Sequence, residues 1–195
     1  EIEESFNNLT NGVFFKKVPT LKLTAEDDGV GVSTFILNDS KNSTGNFKLN
    51  GGEYTVSVSD ILGNTTRGVS LSSLLSLKSD KIVVDGVAPT INRNSGFSGN
   101  YSKGDQEWYS KIPNLYYSVS DDYLKSVQIT VNGEGGVVTP ESDGRYKVNL
   151  NGISDGEVKV VIKAEDYSGN TSKDTFTFYY DKTAPTGLKS TLDGT

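Results

Sequence analysis

The chain has 195 residues, a formal net charge of −6, 34% hydrophobic residues and 21 glycines, with no cysteine, histidine or methionine. That composition excludes disulfides, thiol nucleophiles, Cys/His zinc sites and histidine as a general base. Acidic and basic residues are interleaved, which leaves no basic face for nucleic acid, and no apolar run approaches the ~20 residues of a spanning helix.

In chain order, Leu21, Leu23 and Ala25 alternate with polar neighbours, followed by Phe35 and Leu37, then Tyr54, Val56 and Val58, and finally Ile82 and Val84. The same phrase then recurs as Leu115, Tyr117 and Val119, as Val127, Ile129 and Val131, as Val158, Val160, Ile162 and Ala164, and as Phe176, Phe178 and Tyr180. Side chains alternate across a strand, so each run predicts one buried and one wet face, as in an antiparallel sandwich. Between the third and fourth runs of the first set lies Gly68 to Leu77, a serine- and leucine-rich stretch with no counterpart later. Either a helical turn or an extra strand fits it.

The recurrence is a sequence repeat. Residues 14–38 align without a gap to residues 108–132, with Lys17/Lys111, Pro19/Pro113, Leu21/Leu115, Asp27/Asp121, Asp28/Asp122 and Asn38/Asn132 identical. Residues 52–66 match 156–172 with a two-residue difference, which preserves facing in a strand. The phrase at 81–90, KIVVDGVAPT, mirrors TFYYDKTAPT at 177–186. These matches predict an all-β chain of two tandem immunoglobulin-like β-sandwich modules of about seven strands each. The expected bounds are 1–86 for module one with its insertion near 68–80, 87–182 for module two, and 183–195 for a following module or tail. Pro89 and Pro185 make the connectors short and stiff. Opening on Glu1 and ending inside a repeat-like phrase, the chain reads as a segment of something longer.

The phrases VSDILGN and AEDYSGNTS, followed by VDGVAPT and YDKTAPT, resemble the tandem bacterial immunoglobulin-like repeats of large, mostly Gram-positive surface proteins and adhesins. The resemblance covers nearly the whole chain and implies seven-stranded beads in a rod that is secreted or attached to the cell wall. Module one departs from it through the insertion.

The most suggestive polar set is Asp27, Asp28 and Asp60 in module one and Asp121, Asp122 and Asp166 in module two. In an immunoglobulin-like sandwich the loops that carry Asp121, Asp122 and Asp166 share one end, where the preceding module enters, so the three are expected to converge beside Asp85. Carboxylates held together repel unless a cation sits among them, and calcium takes such oxygens in flexible geometry. The stronger reading is turn chemistry: Asp60 and Asp166 precede Gly63–Asn64 and Gly169–Asn170, and each can open a turn by bonding its own backbone. No cofactor is required on that reading, and calcium is the alternative.

Other routes to a site are weaker. Glycoside hydrolysis needs two acids across a cleft, and adjacent acids on a loop are usually a solvated face. A Lys–Asn isopeptide cross-link cannot be placed from sequence. The sequons at Asn8, Asn42, Asn64, Asn100 and Asn170 are explained by composition in an Asn/Ser/Thr-rich chain. Phe97, Tyr101, Trp108, Tyr109 and Tyr116 crowd the start of module two and could stack on sugars, although edge packing explains them equally well, and Trp108 first of all.

The reading is therefore a non-enzymatic, extracellular spacer that holds other domains away from a surface and has neighbouring modules of its own chain as partners. The alternative is an adhesive module for a glycan or host surface protein. Neither nucleic acid nor membrane insertion enters.

Overall fold

A computed structural model describes residues 5–94 and 101–190. Phe97, Asn100 and the end of the expected tail lie outside the described residues. Two compact units are present. The first runs up to Ala88 and includes Asp166–Asn170; the second comprises Pro89–Glu165 and continues from Thr171.

The second unit shows the sandwich most fully. One sheet orders β10 (Thr90–Arg93), β13 (Tyr116–Ser120) and β16 (Tyr146–Lys147). The other orders β11 (Tyr101–Lys103), β12 (Gln106–Tyr109), β18 (Thr171–Tyr180), β17 (Gly156–Asp166), β14 (Leu124–Val131) and β15 (Glu134–Val138). Alternation does what it predicts: Leu115, Tyr117, Val158, Val160, Ile162, Ala164 and Phe178 are fully buried in one cluster with Val127 and Ile129. Tyr117 holds its phenol in that core, and burial pushes its pKa well up. Gly156 to Glu165 pair residue for residue with Tyr180 to Thr171, and β12 runs parallel to β18.

The first unit repeats this plan with shorter strands. The hairpin of β1 (Phe6–Leu9) and β2 (Gly12–Phe15) continues into β9 (Ile82–Val84), which runs parallel to β2 as β18 does to β12. Around it stand a two-stranded sheet of β3 (Thr20–Lys22) and β6 (Asn46–Lys48), and a four-stranded sheet of β5 (Ser40–Asn42), β4 (Val32–Leu37), β7 (Thr55–Asp60) and β8 (Val69–Ser70). Val13, Phe15, Leu21, Leu49 and Ile82 lie at its core. Ala25, expected inward, is exposed: the β3 ladder ends at Lys22, and the chain leaves the sheet before Ala25 can face the core.

The insertion resolves as both alternatives at once. β8 pairs with β7 through Thr55↔Ser70 and Val56↔Val69, and the chain then turns into α1 (Leu71–Leu75). Ser70 caps the helix by accepting the Ser73 N–H at 3.2 Å, and Ser76 ends it in the left-handed region at φ 54. Five residues would not hold a helix alone. Leu71, Leu75 and Leu77 anchor it on the unit's core, so the insertion splits what is one continuous last strand in the second unit and fills the gap with leucine.

Candidate functional site

The shared acidic residues sit at the tips of equivalent turns, and local chemistry holds them there. In module one the Asp60 N–H donates to the Asn64 carbonyl at 3.0 Å and the Gly63 N–H to the Asp60 carbonyl at 3.3 Å. Gly63 takes φ 88, which favours glycine. The Asp60 carboxylate accepts both the backbone N–H of Asn64 at 2.8 Å and its side-chain amide at 2.6 Å. Module two repeats every one of these bonds: Asp166 accepts from the Asn170 N–H at 2.8 Å and the Asn170 amide at 2.7 Å, and Gly169 has φ 86. The expected turn chemistry is thus present at both positions. What sequence reasoning missed is the asparagine, whose side chain closes a two-pronged clamp; the signal was the spacing D-x-x-G-N, present twice.

The neighbouring acids are also turn formers. Asp27 accepts the N–H groups of Gly29 and Gly31 at 3.1 and 2.7 Å, and its counterpart Asp121 accepts that of Tyr123 at 2.8 Å. Asp27 and Asp60, with Glu26, line one cleft of about 290 Å³ in the first unit, while Asp28 and Asp122 are exposed to solvent. Asp85 receives the Val87 N–H on its carboxylate at 3.0 Å, and its carbonyl receives the Asn170 amide at 2.9 Å. Of the residues expected to converge on calcium, Asp85 and Asp166 belong to the first compact unit, and Asp121 and Asp122 to the second.

Electrostatics make these groups acceptors. The Asn64 amide holds the Asp60 carboxyl below its ordinary value. Arg145 does the same for Asp143, the Thr183 hydroxyl and Lys182 N–H for Asp155, and Lys125, at 2.6 Å, for Glu165. All four move down. None of these four is the raised carboxyl that a general acid for glycoside cleavage needs.

The aromatic route narrows in the same way. Tyr109 is buried, Trp108 stacks on Tyr179 with ring centroids 4.9 Å apart, and the Arg145 guanidinium covers Tyr116 at 4.4 Å. Only Tyr101, 63% exposed, stands open among the described members of the group. Four sequon asparagines are also engaged: the side-chain amides of Asn42, Asn64 and Asn170 donate to Asn46, Asp60 and Asp166, and the Asn8 side-chain oxygen accepts the Lys78 N–H at 2.8 Å.

No known family profile and no curated protein matches the chain. Solved structures do. The fibronectin(III)-like modules of Clostridium thermocellum CbhA align over 97% of this chain and 99% of theirs, at 14% identity and a TM-score of 0.42. A calcium-stabilised adhesin with which an Antarctic bacterium binds ice aligns over 93% of this chain and 50% of its own, at 17% identity and a TM-score of 0.32. A surface glycan-binding protein of the Bacteroides ovatus mixed-linkage glucan locus, solved with a heptasaccharide, aligns over 93% of this chain and 47% of its own, at 16% identity and a TM-score of 0.26. Among the described residues no helix is long and apolar enough to cross a membrane. The chain is an all-β protein of sandwich modules.

Proposed function

We propose that the two modules are structural spacers of an extracellular, bacterial surface protein and perform no catalysis of their own. One observation carries this reading: the pairs Asn38/Asn132, Asp60/Asp166 and Asp85/Asp181, which the repeats share, spend their side chains on backbone turns and strand ends. Asn38 and Asn132 sit in the left-handed region at φ 50 and 52, and each side-chain oxygen accepts an N–H from the adjacent strand, from Thr55 at 2.7 Å and Lys159 at 2.8 Å. Asp60 and Asp166 clamp equivalent turns. Asp85 and Asp181 each cap the residue two positions on, at 3.0 Å. What has been duplicated is a way of folding, which is what a spacer needs.

Pulling the chain from its ends tests the proposal. Two unfolding events, each releasing roughly 300 Å for a module of this length, are expected. A single event, or yielding without a force peak, would refute load-bearing modules. The adhesive alternative expects a positive signal for the isolated chain on a glycan array or on host matrix proteins; the spacer expects none.

Calcium at Asp85, Asp121, Asp122 and Asp166 is proposed alongside, since a carboxylate that accepts turn bonds keeps lone pairs for a hard cation. Millimolar calcium should raise the melting temperature, and Asp121→Ala should abolish the gain. Asp166→Ala should lose about 1–3 kcal/mol with or without the ion, because its turn bonds go. Identical wild-type curves in calcium and in chelator would end the proposal.

A further inference from the structure

β15 is the outermost strand of the six-stranded sheet, and its partner is β14, in the register Val127↔Val138 to Val131↔Glu134. The Asn132–Gly133 turn, with φ 52 and 91, closes that hairpin. Hydrogen-bonded and non-bonded pairs alternate along an antiparallel ladder, and the pair flanking a two-residue turn is bonded. The backbone groups of Glu134, Gly136 and Val138 therefore face β14, and those of Gly135 and Val137 face outward along the open edge. Edge strands are ordinarily blunted by lysine, proline or a covering segment. This one presents Gly135 and Val137, the latter 74% exposed.

Beside that edge runs a groove of about 620 Å³ between β15 and the segment from Lys147 to Glu157. Two features open it. Gly136, on the inward face opposite Ile129, contributes no side chain, and no atom lies within 4 Å of where its Cβ would stand. The opposing sheet ends at β16, only two residues long. Ile129, Val131, Val138 and Ile153 supply an apolar floor, while Glu134, Asp155 and Glu157 outnumber Lys147 around it.

Unpaired backbone, an apolar floor and an acidic rim describe one kind of occupant. We propose that β15 docks an extended peptide segment of a partner protein by strand addition, the segment carrying aliphatic side chains at alternate positions and lysine or arginine at its flanks. The outward N–H and C=O groups of Gly135 and Val137 hold the backbone, the groove takes every second side chain, and the acidic rim selects the basic flanks. A sugar fits less well, because among the described residues no aromatic ring lines the groove to stack on it. The inference goes beyond the spacer reading and stands apart from it.

The test is an amide-resolved NMR titration of the whole chain with the synthetic peptide KVTVTVK, its acidic counterpart EVTVTVE, and a mixed-linkage glucan oligosaccharide. The basic peptide is expected to shift the amides of Gly135 and Val137 and slow their hydrogen exchange, and the acidic peptide to bind at least tenfold more weakly. Val137→Pro removes an outward donor without touching the β14 ladder and should weaken binding at least tenfold. Gly136→Val fills the groove, leaves the edge intact, and should weaken it as well. Shifts elsewhere, equal binding of both peptides, or unchanged binding by both folded variants would overturn the proposal. So would edge shifts that grow with protein concentration alone, which mean self-pairing, or a groove that answers to the oligosaccharide and not to the peptide.

Discussion

At the scale of single residues, the chain spends its acidic and amide side chains on backbone groups that strands leave unpaired at their ends. Asp60 illustrates the consequence for pH. Its carboxylate accepts two bonds from Asn64 in the folded chain and none in the unfolded one, so its folded pKa lies below the ordinary value of 3.8. A depressed carboxyl stabilises the fold fully above its unfolded pKa and loses that contribution as pH falls through the folded one. A carbon-detected titration of Asp60 should therefore show a midpoint below 3.8, and Asp60→Asn should flatten the loss of stability in the range below about pH 4. A midpoint at or above the ordinary value would show that the clamp does not form in solution.

At the scale of elements, what could be read from sequence was whatever period and turn chemistry dictate. The buried faces of β14, β17 and β18 followed from alternation, since a strand with one wet face has only one register that buries its apolar set. Ala25 did not follow, because alternation continues past the point where hydrogen bonding stops, and only the partner strand marks that point. The insertion was visible as an interruption, but its helix depends on where Leu71, Leu75 and Leu77 find a core to rest on, which is a tertiary fact. The duplicated acids were legible as turn formers, whereas the groove beside β15 was not, for it is made by a missing side chain and a short opposing strand. The two glycines of β15 make a paired prediction. Gly135 has φ 142, and a Cβ there would lie 2.3 Å from the Ile129 carbonyl oxygen, so Gly135→Ala should destabilise the chain by about 1–3 kcal/mol. Gly136→Ala meets nothing and should be neutral or stabilising by up to about 1 kcal/mol. Chemical denaturation of the two variants decides it, and equal midpoints would contradict the strand geometry.

At the scale of the whole molecule, the two hydrophobic cores share no residue among those described: one gathers Val13 to Ile82, the other Tyr109 to Tyr180. Each module carries its own apolar burial, and on the proposal that each is its own cooperative unit, damage to one core should stay there. The chain contains a natural reporter for this. Its only tryptophan, Trp108, lies in β12 stacked on Tyr179 of β18, so its fluorescence follows the second core. Ile162→Ala and Leu49→Ala each remove a fully buried aliphatic side chain, one from each core, and each should cost about 2–5 kcal/mol of its own module's stability. Denaturation followed by tryptophan fluorescence should shift for Ile162→Ala and stay within about 0.5 kcal/mol of wild type for Leu49→Ala, as independent sites do. Far-ultraviolet circular dichroism, which sees both modules, should shift for both. A fluorescence midpoint that moves as far for Leu49→Ala as for Ile162→Ala would mean one cooperative unit, and with it the loss of the two-module reading.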